Sequence, residues 1–301
     1  MSEPNPAEFL PDIVESMESG VYVVDCARKV LYWNSAAEAI SGYRRQEIVG
    51  RACANDMLAH CGSKDEAACC EQGCPFTESL RNGRPSVREL YLRHQAGYRI
   101  PVRLKVIPLR DAHGRVVALA QVFERREAER DRCTMPALPG ARDPITGLPS
   151  HEFTEAFLHI RLRALAESGE DFGVILARIC ELHHFQSRYG SEAAHSILRV
   201  VSQTLQNALH GGDLLGRWEE DSFLALVERH NPLSLRQLSE RLQRLVELSA
   251  IPWWGLRTSV NIISREAQAR AGDTVELLLA RLQHEHAPDA ALVEPAGKAA
   301  D

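Results

Sequence analysis

Residues 214–227 read LLGRWEEDSFLALV. Two apolar runs, Leu214–Trp218 and Ser222–Val227, flank the acidic step Glu219-Glu220-Asp221, which predicts two strands joined at a charged tip. Outward from this hairpin, helix and strand patterns alternate. Upstream, Ala193, Ile197, Leu198, Val201 and Leu205 fall on one helical face. Phe172–Ile179 is a near-continuous apolar run, as expected of a buried strand, and His183-His184 are expected at its end. Glu152–Glu167 is helical in pattern. Downstream, Leu238, Leu242, Leu245 and Val246 mark another amphipathic helix, Leu256–Ile263 a strand and Thr274–His286 a last helix. This alternation predicts an α/β domain.

The first half reads differently. Val21–Asp25 and Val30–Trp33 are short β-rich runs, and Asn34 is placed to cap a helix from Ser35. Three longer runs follow, Val87–Arg93, Tyr98–Pro108 and Arg115–Phe123, broken by Gln95-Ala96-Gly97 and Asp111-Ala112-His113-Gly114, both turn-forming sequences. Two strands, short helices and three strands predict one antiparallel sheet with helices on one face. Between the halves, 124–142 opens as a charged helix and stops at Pro136 and Pro139, which cannot continue one.

The chain has 301 residues, enough for two domains. Its 45% hydrophobic and 25% charged content is ordinary for globular protein, and a net charge of −6 gives no general attraction to nucleic acid or an anionic membrane. No apolar run reaches the roughly 20 residues of a membrane span, and the first residues lack the basic start of a signal peptide. The expectation is a cytoplasmic protein. Five of the eight cysteines fall between Cys53 and Cys74.

Two resemblances rest on particular residues. Asp143-Pro144-Ile145-Thr146-Gly147-Leu148-Pro149-Ser150, followed by the amphipathic helix and hairpin at the right spacing, resembles the opening motif of the GGDEF domain family, the diguanylate cyclases that join two GTP molecules into cyclic di-GMP. Gly20–Asp25, Tyr32-Trp33-Asn34, Ala37-Glu38, Ser41-Gly42-Tyr43 and Glu47-Ile48-Val49-Gly50 are similar, in order, to a PAS sensor domain. The resemblances imply an α+β chain. A PAS fold spans 10–125 (antiparallel sheet, helices on one face), a linker 126–142, and a GGDEF domain with a central mixed sheet in βααββαβ order 143–286. A disordered tail covers 287–301.

The resemblance also implies that the cyclase chemistry is lost. In the family, two glycines at the hairpin tip let the main chain approach the nucleotide phosphates. Those positions are Glu219 and Glu220 here, in a degenerate signature Glu219-Glu220-Asp221-Ser222-Phe223. Like charges about 4 Å apart repel by roughly 4 kcal/mol at an effective dielectric of 20. The family's Phe-Lys pair is Phe185-Gln186, the guanine-contacting Asn falls in a deletion before Tyr189, and His195 stands for the guanine-reading Asp. Glu181 and Asp221 stand at the metal-ligand positions, so Mg2+ is implied only if nucleotide still binds. The inhibitory product site reads His210-Gly211-Gly212-Asp213, keeping Asp213 and losing the arginine that would grip a phosphate. For the acidic tip two readings stay open, a solvated hairpin end and a cation site made with Glu181.

Cys53, His60, Cys61, Cys69, Cys70 and Cys74 form a second candidate site. Thiolates and imidazole this close in sequence suit Zn2+, an iron–sulfur cluster or a reversible disulfide, while the alternative is small buried hydrophobes. Cys74-Pro75 is expected to start a helix. Trp253-Trp254 is read as core or as a partner-binding patch. Together these readings give a sensor coupled to an inactive GGDEF domain that acts as a regulatory, nucleotide-binding or protein-interaction module in cyclic di-GMP signalling. It is expected to be a homodimer with an unidentified protein partner, with GTP or cyclic di-GMP as ligands to test and with neither nucleic acid nor membrane as partner. The rival is an active diguanylate cyclase with a divergent site.

Overall fold

The structure is a computed structural model that describes residues 6–53, 61–62, 74–126, 140–228, 232–253 and 256–284. The first unit runs α1 (Pro6–Ser16), β1 (Gly20–Asp25), β2 (Val30–Trp33), α2 (Ser35–Ser41), α3 (Arg45–Ile48), β3 (Cys61–Gly62), α4 (Pro75–Asn82), β4 (Ser86–Arg93), β5 (Arg99–Arg110) and β6 (Val116–Arg125). Its strands form one sheet in the order β2-β1-β6-β5-β4-β3, antiparallel throughout. Strand period two sorts β5 cleanly. Ile100, Val102, Leu104 and Val106 are buried on the inner face, while Arg103 and Lys105 point outward.

Asn34 does more than cap. Its Oδ1 accepts from Ala37 N at 2.9 Å and from Val21 N at 2.8 Å, and its Nδ2 donates to the carbonyls of Val14 and Ser19. One fully buried amide thereby ties α1, β1 and α2 together. Tyr22, Trp33 and Phe123 pack ring against ring in the middle of the inner face, with centroids 5.2–6.1 Å apart. The Tyr22 hydroxyl is satisfied by Gln121 at 2.7 Å, as a buried phenol requires. Helix α4 starts at Pro75 with Cys74 at its cap position, as the sequence predicts.

The second unit runs α5 (His151–Ser168), β7 (Phe172–Ile179), α6 (Leu182–Tyr189), α7 (Ser191–Ala208), β8 (Leu214–Arg217), β9 (Ser222–Glu228), α8 (Pro232–Glu247), β10 (Ile251–Trp253), β11 (Leu256–Thr258), β12 (Ile262–Gln268) and α9 (Val275–His284). The main sheet has the order β12-β7-β9-β8. Ile175, Ala177 and Ile179 pack with α7 and α8 on one face. Phe172 and Val174 pack with α5 and α9 on the other. Burial on both faces is why β7 reads as unbroken hydrophobic sequence.

Four expectations are corrected in detail. The sheet expected to be mixed is antiparallel at each pairing. The strand returning from α7, β8, takes the outer place, and its hairpin partner β9 enters beside β7. The single strand expected at Leu256–Ile263 is two strands with different partners. Leu256–Thr258 pairs with β10, and the chain turns before Ile262 joins β7. His183 and His184 lie in the first turn of α6 rather than at a strand end. Glu124 and Arg125 finish β6 instead of opening a helix; most of the expected linker, and the expected tail, lie outside the described residues. No helix among the described residues is long and apolar enough to cross a membrane.

The outer face of the first sheet meets the second unit near α7. Arg99 N donates to Thr204 Oγ1 at 3.3 Å, Asn207 Nδ2 donates to Arg99 O at 2.7 Å, and the Arg99 guanidinium donates to Leu248 O. Tyr91 belongs to the core of the second unit, although β4 carries it.

Candidate functional site

The turn at Asp143–Ser150 is built from its own polar groups. Asp143 Oδ1 accepts from Thr146 N at 2.8 Å and from Thr146 Oγ1 at 2.6 Å, the self-bonding geometry that favours Asp in turns. Gly147 sits at φ 71°, a conformation that suits glycine. Ser150 caps α5, its Oγ accepting from Phe153 N. Arg217 N donates to Pro149 O at 2.8 Å, fastening the turn to β8. One residue earlier, Gly216 lies so close to α5 that a Cβ would stand 1.8 Å from Thr154 Oγ1.

From Arg217 the chain enters the tip. Trp218 and Phe223 are buried, and the Arg217 guanidinium lies 5.1 Å over the Phe223 ring. Arg217 is itself buried, and one of its terminal nitrogens has no hydrogen-bond partner. Burial lowers its pKa, while Asp143, Asp221 and Glu220 act in the opposite direction. The three carboxylates between Trp218 and Ser222 face different partners. Glu219 pairs with Arg178 at 2.8 Å, Asp221 lies 3.6 Å from the same guanidinium, and Glu220 lies 3.7 Å from His183. Ser222 Oγ donates to Glu219 at 3.4 Å.

Glu181, at the end of β7, is left-handed at φ 56°. Arg28 is the other described non-glycine residue with positive φ, so Glu219 and Glu220 sit on ordinary backbone. What the two glutamates change at the tip is space and charge. The thiol of Cys180 between these elements is pushed up by burial and then by Glu181 and Asp221. No group of three or more His, Cys, Asp or Glu among the described residues is placed to hold a metal ion. Glu181 and Asp221 could offer Mg2+ two carboxylates, the usual protein share at a nucleotide site, but Asp221 would first have to leave Arg178.

Asp213 is used by the backbone. Its two oxygens accept from His210 N at 2.8 Å and Glu228 N at 3.1 Å, closing the base of the β8–β9 hairpin. His195, on α7, lies 3.6 Å from Glu192. Cys53 and Cys74 are half-buried and pack against the inner core of the first unit. The Cys61 backbone pairs with Tyr91, and His60, Cys69 and Cys70 lie outside the described residues, as does Trp254.

Arg178 and Arg217 were assigned no role from sequence, although both left a signal. Arg178 is the sole charge in FGVILARI, and Arg217 immediately precedes the tip.

Residues 140–282 match the family described as diguanylate cyclase, GGDEF domain, and residues 18–124 match the PAS domain family. The chain is 21% identical over 252 residues to the probable diguanylate cyclase DgcE of Escherichia coli strain K12, covering 82% of this chain and 22% of that protein. It is 29% identical over 108 residues to diguanylate cyclase DgcP of Pseudomonas aeruginosa, covering 35% of this chain and 16% of that one. It therefore spans about a fifth of the length of these curated relatives. Among solved structures it is similar to diguanylate cyclase SiaD in complex with its activator SiaC from Pseudomonas aeruginosa. The identity is 21% and the TM-score 0.46, over 47% of this chain and 55% of that chain.

Proposed function

Because this chain is a PAS domain followed by a GGDEF domain, we propose that it acts in cyclic di-GMP signalling as a sensor whose GGDEF half regulates a partner instead of making the dinucleotide. The observation that carries this reading is the self-paired tip, in which Arg178 engages Glu219 and Asp221 while His183 faces Glu220. A triphosphate entering there would meet two added carboxylates, and the Arg178 guanidinium is already paired with Glu219. Asp213, engaged by two main-chain N–H groups, offers little to a dinucleotide. Equilibrium titration with GTP and Mg2+ tests the reading. The wild-type chain should give no heat at millimolar nucleotide. Binding that is present in the wild type, lost in Asp221→Ala and accompanied by formation of cyclic di-GMP would overturn it.

The protein is further proposed to be a cytoplasmic homodimer. Phe9, Leu10, Ile13 and Met17 form an exposed apolar face on and just after α1, which a second copy would cover. Sedimentation should give a dimer that Ile13→Glu converts to monomer; an unchanged dimer argues against this face. The cysteine segment is proposed as the metal- or redox-responsive part of the sensor, on its clustering in sequence. No metal after anaerobic purification, with no thiol oxidation under mild oxidant, would remove that proposal.

A further inference from the structure

The two domains flank an open pocket of about 540 Å3 at their junction. That size lies within the range of small-molecule sites, which favour domain interfaces. Its apolar walls include Tyr98 from the first domain, Ile145 from the Asp143–Ser150 turn and Ile251 from β10. Its polar side is α7, through Ser196, Arg199 and Gln203. The Tyr98 ring is held flat against His94, with centroids 4.3 Å apart and planes 11° apart. The Ser196 hydroxyl donates to Glu192 O, leaving its oxygen free to accept. Gln203 uses its amide nitrogen on Asn207 and keeps its carbonyl oxygen. Arg199 forms no ion pair with any described residue. A pocket with apolar walls and, at its side, a guanidinium without an ion pair among the described residues suits a molecule with a flat apolar body and an anionic group.

We propose that a small organic anion binds in this joint and holds the PAS domain against the GGDEF domain. On the inner face of the PAS sheet, by contrast, Tyr22, Trp33 and Phe123 are each almost fully buried. The walls of the pocket come from the β4–β5 turn, the Asp143–Ser150 turn and α7, so an occupant touches both domains at once. Beside it lie the Arg99 hydrogen bonds to Thr204 and Asn207 that join the domains. The site is separate from the hairpin tip and does not depend on whether GTP binds there.

Fluorescence titration of the full chain with anilinonaphthalenesulfonate tests the proposal. Saturable binding at one site per chain is expected. Reversing the charge by Arg199→Glu should weaken it about tenfold or more. Filling the cavity by Ser196→Trp should abolish it, with the thermal melt of each variant recorded as a check on folding. The uncharged phenylnaphthylamine should respond to Ser196→Trp and not to Arg199→Glu. Non-saturable binding, unchanged affinity in Arg199→Glu, or binding that survives Ser196→Trp in a folded protein would each overturn the proposal. The last result would place the anion outside the cavity.

Discussion

The turn at Asp143–Ser150 and the tip at Glu219–Asp221 are joined through Arg217, yet they hold their carboxylates in opposite ways. In the turn, Asp143 is satisfied by Thr146 of the same loop, and the loop is fastened to β8 by Pro149 O. In the tip, the carboxylates reach outward to side chains on other elements, and Glu220 is 87% exposed. The turn shapes the backbone, so its residues are constrained by folding. The tip is shaped by the hairpin whichever side chains it carries, since neither glutamate needs a left-handed conformation. Folding therefore tolerates acidic side chains at the tip. On the proposed reading, a chain can therefore keep the opening turn of the fold while carrying glutamates at the tip.

The comparison breaks if the two sites respond alike to truncation. Asp143→Ala removes two hydrogen bonds and a counter-charge of buried Arg217, and should cost about 3 kcal/mol in calorimetry. Glu220→Ala should leave the melt unchanged. Gly216→Ala tests the packing beneath the turn. A Cβ against Thr154 should cost about 2 kcal/mol by overpacking. Glu181→Gly should act the other way. Releasing a left-handed glutamate should gain a few tenths to about 1 kcal/mol in denaturant unfolding. A loss there would mean that the glutamate side chain holds the tip.

The smallest effect concerns pH. Burial, then Arg125, lowers the pKa of His94 from its ordinary 6.5. The unfolded chain takes up this proton first as pH falls, so the contribution to stability is intact above the ordinary value. It is lost as pH drops through the lowered folded value. His94→Phe should flatten the stability profile just below neutrality.

Much of this was legible because it is local. The period-two burial of β5, the cap at Asn34, the Cys74-Pro75 helix start and the apolar run of β7 depend on neighbours in sequence. The tip pairing is not local, since Arg178 and Glu219 are 41 residues apart and meet only when β7 and β9 align. The sequence pattern ends this strand at Ile263, because Ser264, Arg265, Glu266 and Gln268 look unlike a core strand, whereas β12 runs to Gln268. As an edge strand paired on one side, it tolerates them. Asp213, which the resemblance reads as a remnant of an inhibitory site, serves the main chain, a distinction that only geometry reveals.

The self-paired tip is proposed to lack cyclase chemistry. The most direct test is to incubate the purified chain with GTP and Mg2+ and to separate the products chromatographically. The expected result is unconsumed GTP with no cyclic di-GMP. Cyclic di-GMP formed by the wild type and abolished in Asp221→Ala would contradict it.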